Sequence, residues 1–563
     1  MPHRPLSTVT FPAQPGIADV SAVRDGPGGL TVQPASAPRP APAPTARPAG
    51  PGRVYGAARR PPATETAETA AGAETPADPP AAGRSASVVR AGALSMLALL
   101  AVGLTRLVHG SLTSHATDRE RYGLVGIMLA ASMIASLLLP GGVSAGMSKF
   151  VAFHRGAADL PGAWAVHRFL SRLGLFSSLL LGLVTALVLR RLHPLDAVDT
   201  VSVAVLTASY ALYTVDKSAM YGHGLVPRYA RIELGTSVLA VAATVAVIVT
   251  GRTFYLLPLC LGYGCFVLLA RREIRRHRRR EAPGAGGAFD RRQVLSFAVL
   301  ASVGTLASAG FLQATQLLAG HFAAPAEVAY LVAAVALIAP LWFLPRAMAL
   351  ALFPAMAGAH GAGDHSAVRQ QVDVSTRALA VVMTPVFLVG LATAPLVLQL
   401  FGGGGYAGGA PVLRLMLCAS SFGILQVPAV NALASGSARQ SRVPVASAVL
   451  GCLVGLAVVA VAAGPLGAVG VGLGYLVGTA VTALVPVVTV WRLHRLAWAG
   501  TLARCLVLMA AGMLLASLGP VRHWSWPAGL LAVGAPLVAL ALLRREVAGL
   551  LAVLRGRRPA RTI

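Results

Sequence analysis

From about residue 90 to residue 545 the chain alternates between long apolar runs and short polar breaks. AGALSMLALLAVG (91–103), ASMIASLLLPGGVSAG (131–146) and LAVVAVAAGPLGAVGVGLGYLVG (456–478) are representative. There are fourteen such runs, centred near residues 100, 132, 178, 207, 240, 261, 307, 340, 386, 420, 453, 479, 510 and 536. Each is about 20 residues, the length that crosses a bilayer's hydrocarbon core. They are continuously apolar rather than alternating, which predicts helices and not the strands of a barrel. Two of the runs are long and carry proline within them: Pro140 with Gly141 and Gly142 in the first, and Pro340, Pro345 and Pro354 in the second. Both are expected to kink or break, which lipid tolerates only where neighbouring helices or water satisfy the freed backbone.

Composition agrees with this pattern. The 563 residues are 56% hydrophobic and only 12% charged, about half the charged fraction of an ordinary soluble domain. The net charge of +27 would suggest nucleic acid in a soluble protein, but here it follows from the rule that orients membrane helices. Numbered from a cytoplasmic start, one set of loops holds 29 Lys/Arg and the other 6. That asymmetry supports fourteen spans with both termini cytoplasmic. Cys260, Cys265, Cys418, Cys452 and Cys505 all lie in apolar spans without a CxxC pair, and read as buried fillers rather than ligands. Nothing in the sequence calls for a metal, a cofactor or a nucleic-acid partner.

The layout follows. Residues 1–86 hold 17 of the 38 prolines and little that would form a core, so they are expected to be a disordered cytoplasmic tail. Residues 87–270 form a first lobe of six spans, 271–293 a basic cytoplasmic linker containing RREIRRHRRR, and 294–495 a second lobe of six. Residues 496–545 add two further spans and 546–563 a basic tail. The basic linker can contact anionic lipid head groups, but topology anchoring alone accounts for it and is the favoured reading. ERYGLVGIMLAAS (120–132) aligns with EVAYLVAAVALIAP (327–340) at an offset of 207 residues, so the lobes are expected to be pseudo-symmetric repeats. In that register Arg106 lies opposite Gln313.

The stretch 104–156 resembles the polysaccharide-transporter, Wzx-like branch of the MOP flippase superfamily. Its pieces here are Arg106 near the end of the first helix, Glu120-Arg121-Tyr122-Gly123 at the turn, Pro140-Gly141-Gly142, and Lys149-Phe150. The resemblance is clearest over 88–270. It implies a multi-pass protein of the cytoplasmic membrane that moves a lipid-linked, polyprenyl-pyrophosphate oligosaccharide or related cell-envelope precursor between leaflets by alternating access. Membrane lipids and glycan-assembly enzymes would be its partners. The AspAlaPhe run of the lipid II flippases is missing. The multidrug antiporters share the lobed architecture but depend on intramembrane carboxylates. Asp216, Glu233 and Asp373 read here as cytoplasmic helix ends and Asp118, Glu120 and Glu327 as outer ends or loops, so a carboxylate-driven exporter is disfavoured.

Arg106 raises the sharpest question, because a charge at the centre of a bilayer helix costs about 2.5–3.5 kcal/mol on insertion scales. Either it lines a wet cavity, or it snorkels about six residues to the interface. Arg346, deeper and one residue past Pro345, and Arg414, after GGGGYAGGAP, are the other cavity candidates. Arginine suits a pyrophosphate because its fork matches phosphate oxygens and it stays protonated. Gln313 and Gln316, one helical turn apart, can bind sugar hydroxyls or join helices. Arg172 and Lys217 read as topology anchors, His109 as a hydrogen-bonded histidine, and Tyr122, Tyr210, Tyr213 and Trp342 as interface aromatics. No catalytic residue is assigned. An integral-membrane glycosyltransferase or polymerase using Asp118 and Glu120 is the reading from another class, opposed by the short outer loops and the lack of a second acidic cluster.

Overall fold

The computed structural model describes residues 81–554 except 283, 285, 286 and 520–522. Most of the tail expected over 1–86 therefore lies outside the described residues, and its last six residues already belong to the first helix. That helix, α1 (Ala81–Ala116), opens the first lobe. It is followed by α2 (Arg119–Leu137), α3 (Leu139–Gly156), α4 (Leu160–Leu192), α5 (Ala197–Gly222), α6 (Val226–Val249) and α7 (Leu257–Glu281). The second lobe contains α8 (Arg291–Phe322), α9 (Pro325–Ile338), α10 (Phe343–Gly361), α11 (His365–Gly402), α12 (Ala410–Leu425), α13 (Val427–Ser435) and α14 (Ala438–His494). The appended helices are α15 (Ala499–Ser517), α16 (Trp526–Leu542) and α17 (Arg544–Leu554). Eleven helical stretches are long and apolar enough to cross a membrane. Dividing α14 at its internal break and adding α7 and α16 gives the fourteen crossings expected.

Both proline-bearing spans are broken where expected. Leu138 separates α2 from α3 with a non-helical ψ of −131°, and Pro140 sits in the first turn of α3. In the second lobe a short 3₁₀ segment, Ala339–Trp342, separates α9 from α10. The order of elements repeats between the lobes, and Glu120 and Glu327 both fall in first turns, of α2 and α9. The break in α14 is at Gly467, whose φ of +55° only glycine adopts without strain. Glu327 Oε2 accepts a 2.8 Å hydrogen bond from Ala468 N just beyond it, satisfying a donor at the start of the second half of α14.

The segment expected as a linker from residue 271 is instead a continuation of α7. Its arginines are interleaved with acids at helical spacing: Arg276 pairs with Glu273 at 2.8 Å and His277 with Glu281 at 3.0 Å. Arg271 reaches back to Asp216 on α5 at 2.8 Å.

Within the first lobe α1 packs on α6, α4 on α3 and α5, and α7 on α5 and α6. The lobes meet where α3 crosses α8 and α2 crosses α9. Close approach there requires small residues. A Cβ on Gly142 would lie 1.7 Å from the carbonyl oxygen of Ala298, and one on Gly126 would lie 2.1 Å from Val332. Gly142→Ala is therefore expected to lower the thermal midpoint in detergent, by overpacking worth about 1–3 kcal/mol. Gly235→Ala, with open space around it, is expected to leave the midpoint unchanged.

Candidate functional site

Arg106 sits at the thirteenth position of the 23-residue apolar stretch Leu94–Ala116, so it is midway across. It neither reaches an interface nor stands alone. Nε donates to the Tyr263 hydroxyl at 3.0 Å, and the guanidinium lies 5.0 Å above the Tyr210 ring and 5.9 Å above that of Tyr263. Contacts of this kind are worth about 0.5–2 kcal/mol each. The tyrosines belong to a wider wall. Tyr210 stacks on Tyr213 at 5.8 Å, and Tyr263 lies 5.0 Å from both. Their placement follows from helical spacing, since Tyr210, Tyr213 and Lys217 share one face of α5.

The wall carries two further charges. Tyr213 donates from its hydroxyl to Glu233 Oε2 at 3.1 Å. Lys217 lies 3.5 Å from the same hydroxyl, with its ammonium over the rings of Tyr213 and Tyr229. Glu233 is only 3% exposed and lies seven residues into α6, about 10 Å along the helix. It borders a cavity of about 20 Å³ shared with Thr105, Thr236 and Tyr263, roughly the space of one water. Glu233 and Asp216, expected toward cytoplasmic helix ends, are both enclosed by the bundle. Lys217 is likewise half-buried against tyrosines rather than a free anchor.

Arg346 enters from the second lobe. It is exposed on α10, and its charge acts on both Arg106 and Lys217. Nearby, Gly103 on α1 faces the ring of Phe343 on α10. The arrangement therefore spans the lobes, with three cations and one carboxylate.

The remaining candidates lie elsewhere or are engaged locally. Arg414 is 2% exposed, and its Nε donates to the Leu391 carbonyl on α11 at 3.0 Å. It ties α12 to α11. Gln313 and Gln316 are buried and bonded to each other at 3.1 Å. The hydroxyl of Thr244 donates to Ala240 O, so the 3.0 Å contact makes it the acceptor for His109 Nδ1–H. Arg172 is exposed on α4 and Trp342 is half-buried. Asp118 caps α2 by accepting from Arg121 N at 2.7 Å, and Glu120 is exposed.

The two ends of the molecule differ. At the end away from RREIRRHRRR, the hydroxyls of Ser111 and Ser114 donate to Phe401 O at 2.8 and 2.9 Å. Arg119 bonds the Tyr330 hydroxyl, and Tyr122 packs edge-on against Phe401 and Tyr406. These contacts tie α1 and α2 to α9 and α11. At the basic end, Glu281 accepts from Arg155 at 2.8 Å and Trp164 Nε1 at 3.0 Å. His223 stacks on Trp164 at 4.2 Å. Burial, followed by the charges of His167, Arg155 and His277, pushes the His223 imidazole down to about 2. Burial raises the Glu281 carboxyl, but the Arg155 and Trp164 hydrogen bonds outweigh it and leave it below its ordinary value. His223, His277 and Glu281 offer ligand atoms within 4.8 Å of one another, yet the Arg155 guanidinium already supplies the cation there.

The sequence marks neither Tyr263 nor Glu233 as part of this wall, and reads Tyr210 and Tyr213 as interface aromatics and Lys217 as a topology anchor. The spacing on α5 was the available signal. The joining of α1 to α5 and α7 through Arg106 carries none.

No family model matches this sequence, and no curated protein matches it. Solved structures do. An inward-facing multidrug-resistance MATE-family transporter of the MOP superfamily superposes with a TM-score of 0.55 at 16% identity, covering 70% of this chain and 94% of that one. The lipid II flippase MurJ in an inward closed conformation gives 0.52 at 11%, over 81% and 99%. A MOP-superfamily transporter from Pyrococcus furiosus, described as having a binding pocket of reverse polarity, gives 0.52 at 17%, over 72% and 95%. The chain has the fold these transporters share, and fold alone does not set the substrate.

Asp118→Ala is expected to cost about 1 kcal/mol of stability through the lost cap while Asp118→Asn costs little, and neither should abolish function. From pH 7 to pH 5 the unfolded His223 takes up a proton that the folded site refuses, so stability falls as the pH drops through the ordinary histidine value. The thermal midpoint should decline over that range, and His223→Gln should flatten the decline.

Proposed function

We propose that the protein is a flippase for a polyprenyl-pyrophosphate-linked saccharide or related cell-envelope precursor, with its basic end in the cytoplasm. The observation that carries this reading is the cationic pair divided between lobes: Arg106 on α1 and Arg346 on α10, with Lys217 beside them. Like charges carried on opposite lobes repel. An anion bound between them converts that repulsion into attraction from both lobes, so loaded lobes close at the basic end and empty ones stay apart. Arginine forks fit phosphate oxygens, and the tyrosine wall gives a rigid amphipathic surface for a sugar or isoprenoid. The contacts of Ser111, Ser114, Arg119 and Tyr122 form the opposing gate, which parts as the basic end closes. The enzymes that assemble the glycan would supply the substrate, and no catalytic step is assigned to this chain.

A second reading is favoured by one observation. Glu233 is a buried carboxylate bonded to Tyr213, which supplies the ionisable group that an exporter of cations would exchange. Lipid extracts of a deletion strain decide between the two. A pyrophosphate-linked glycan is expected to accumulate, to be cleared by the wild-type gene, and to be cleared at least tenfold less well by Arg106→Ala or Arg346→Ala. Absence of any such lipid, with sensitivity to cationic drugs rescued by wild type and not by Glu233→Gln, would establish the exporter instead.

A further inference from the structure

The helices α4 and α7 both lean on α5, and at the basic end they flank a cavity of about 230 Å³. Arg168, Arg172, Arg275 and Arg278 line it, with Trp164 and Ser171. The Arg278 guanidinium lies 6.0 Å from the centre of the Trp164 ring. Two of the arginines come from α4 and two from α7, about a hundred residues apart in sequence. All four are exposed, and among the described residues none forms an ion pair. The nearby acids are already engaged: Asp216 with Arg271, Glu273 with Arg228 and Arg276, and Glu281 with Arg155 and His277. Topology anchoring explains why arginines are frequent at this end. It does not explain why four uncompensated ones converge on one cavity with an aromatic wall, where their mutual repulsion calls for an anion.

The surfaces leading away from the arginines identify the kind of anion. On α4 the face of Arg168 and Arg172 continues into Phe176, Leu179 and Leu183, with Phe176 68% exposed. On α7 the face of Arg275 continues into Leu268, 70% exposed, and Leu261. Both stripes run at the helical spacing of three, four and seven residues. A ligand that fills the site therefore has a phosphate head at the arginines and alkyl chains along the apolar stripes. Arginine pairs at i, i+4 and i, i+3 offer two phosphate-sized forks, and basic pockets between membrane helices suit phospholipid head groups.

We propose that this notch binds an anionic phospholipid of the surrounding leaflet, with a preference for a head group carrying two phosphodiesters. The proposal is independent of the transported substrate, because the notch lies on the outer face of the first lobe and involves none of Arg106, Lys217 or Arg346.

The test is native mass spectrometry of the full chain in detergent, with diphosphatidylglycerol, phosphatidylglycerol or phosphatidylcholine added. Wild type is expected to retain diphosphatidylglycerol at least tenfold over phosphatidylcholine. The variant R168Q/R172Q/R275Q/R278Q should lose that preference, whereas R190Q/R191Q/R279Q/R280Q, which removes the same charge elsewhere, should keep it. Equal loss in both variants, or loss in neither, overturns the proposal. Displacement of the lipid by free pyrophosphate overturns it too, by showing a site for a soluble anion. A readout on wild type alone avoids dependence on variant folding. Diphosphatidylglycerol should protect segments 164–172 and 274–278 from hydrogen exchange relative to phosphatidylcholine, and equal exchange would sink the assignment.

Discussion

A guanidinium held midway along an apolar helix has to be compensated, and the first lobe is organised around that one requirement. Arg106 is satisfied by the Tyr263 hydroxyl and by the faces of Tyr210 and Tyr263, so α1 is bound to α5 and α7 through a single side chain. The same tyrosines orient Glu233 and Lys217 through Tyr213. Removing the arginine would leave polar hydroxyls facing a vacancy, and removing the tyrosines would leave an uncompensated charge.

The second lobe repeats the order of helices without repeating this chemistry. Opposite Arg106 in the repeat stands Gln313, which bonds to Gln316 within α8. Its buried arginine, Arg414, donates to a backbone carbonyl on α11, and Arg346 acts on the charges of the first lobe. The pseudo-symmetry is therefore one of backbone and packing, while the charges are concentrated in the first lobe. An asymmetric site is what a substrate with one charged end would encounter.

Lobe contacts follow a similar division. At the end away from the arginine-rich helix, hydroxyls, a backbone carbonyl and aromatic edges join the lobes. Halfway along, glycine lets α3 approach the backbone of α8. Near Arg106 and Arg346 the lobes share like charge. Two attractive regions and one repulsive region make a body that can rock about its close contacts.

The helical class, the fourteen crossings, the breaks at Pro140 and Pro340 and the repeat of the lobes can be read along the chain. These depend on hydropathy, chain length and backbone chemistry, which are properties of consecutive residues. The sequence also marks Arg106 as a residue needing an explanation. The explanation lies in the packing of distant helices, because Tyr263 is 157 residues away and hydropathy carries no record of which helices adjoin. The same reason hides the burial of Glu233, which lies toward a helix end in sequence and is enclosed by α1, α5 and α7. Asp118 and Arg414 stood out for their charge, and the fold assigned the first to a helix cap and the second to a neighbouring carbonyl. Charge type is written in the chain, but its compensation is a matter of three-dimensional proximity.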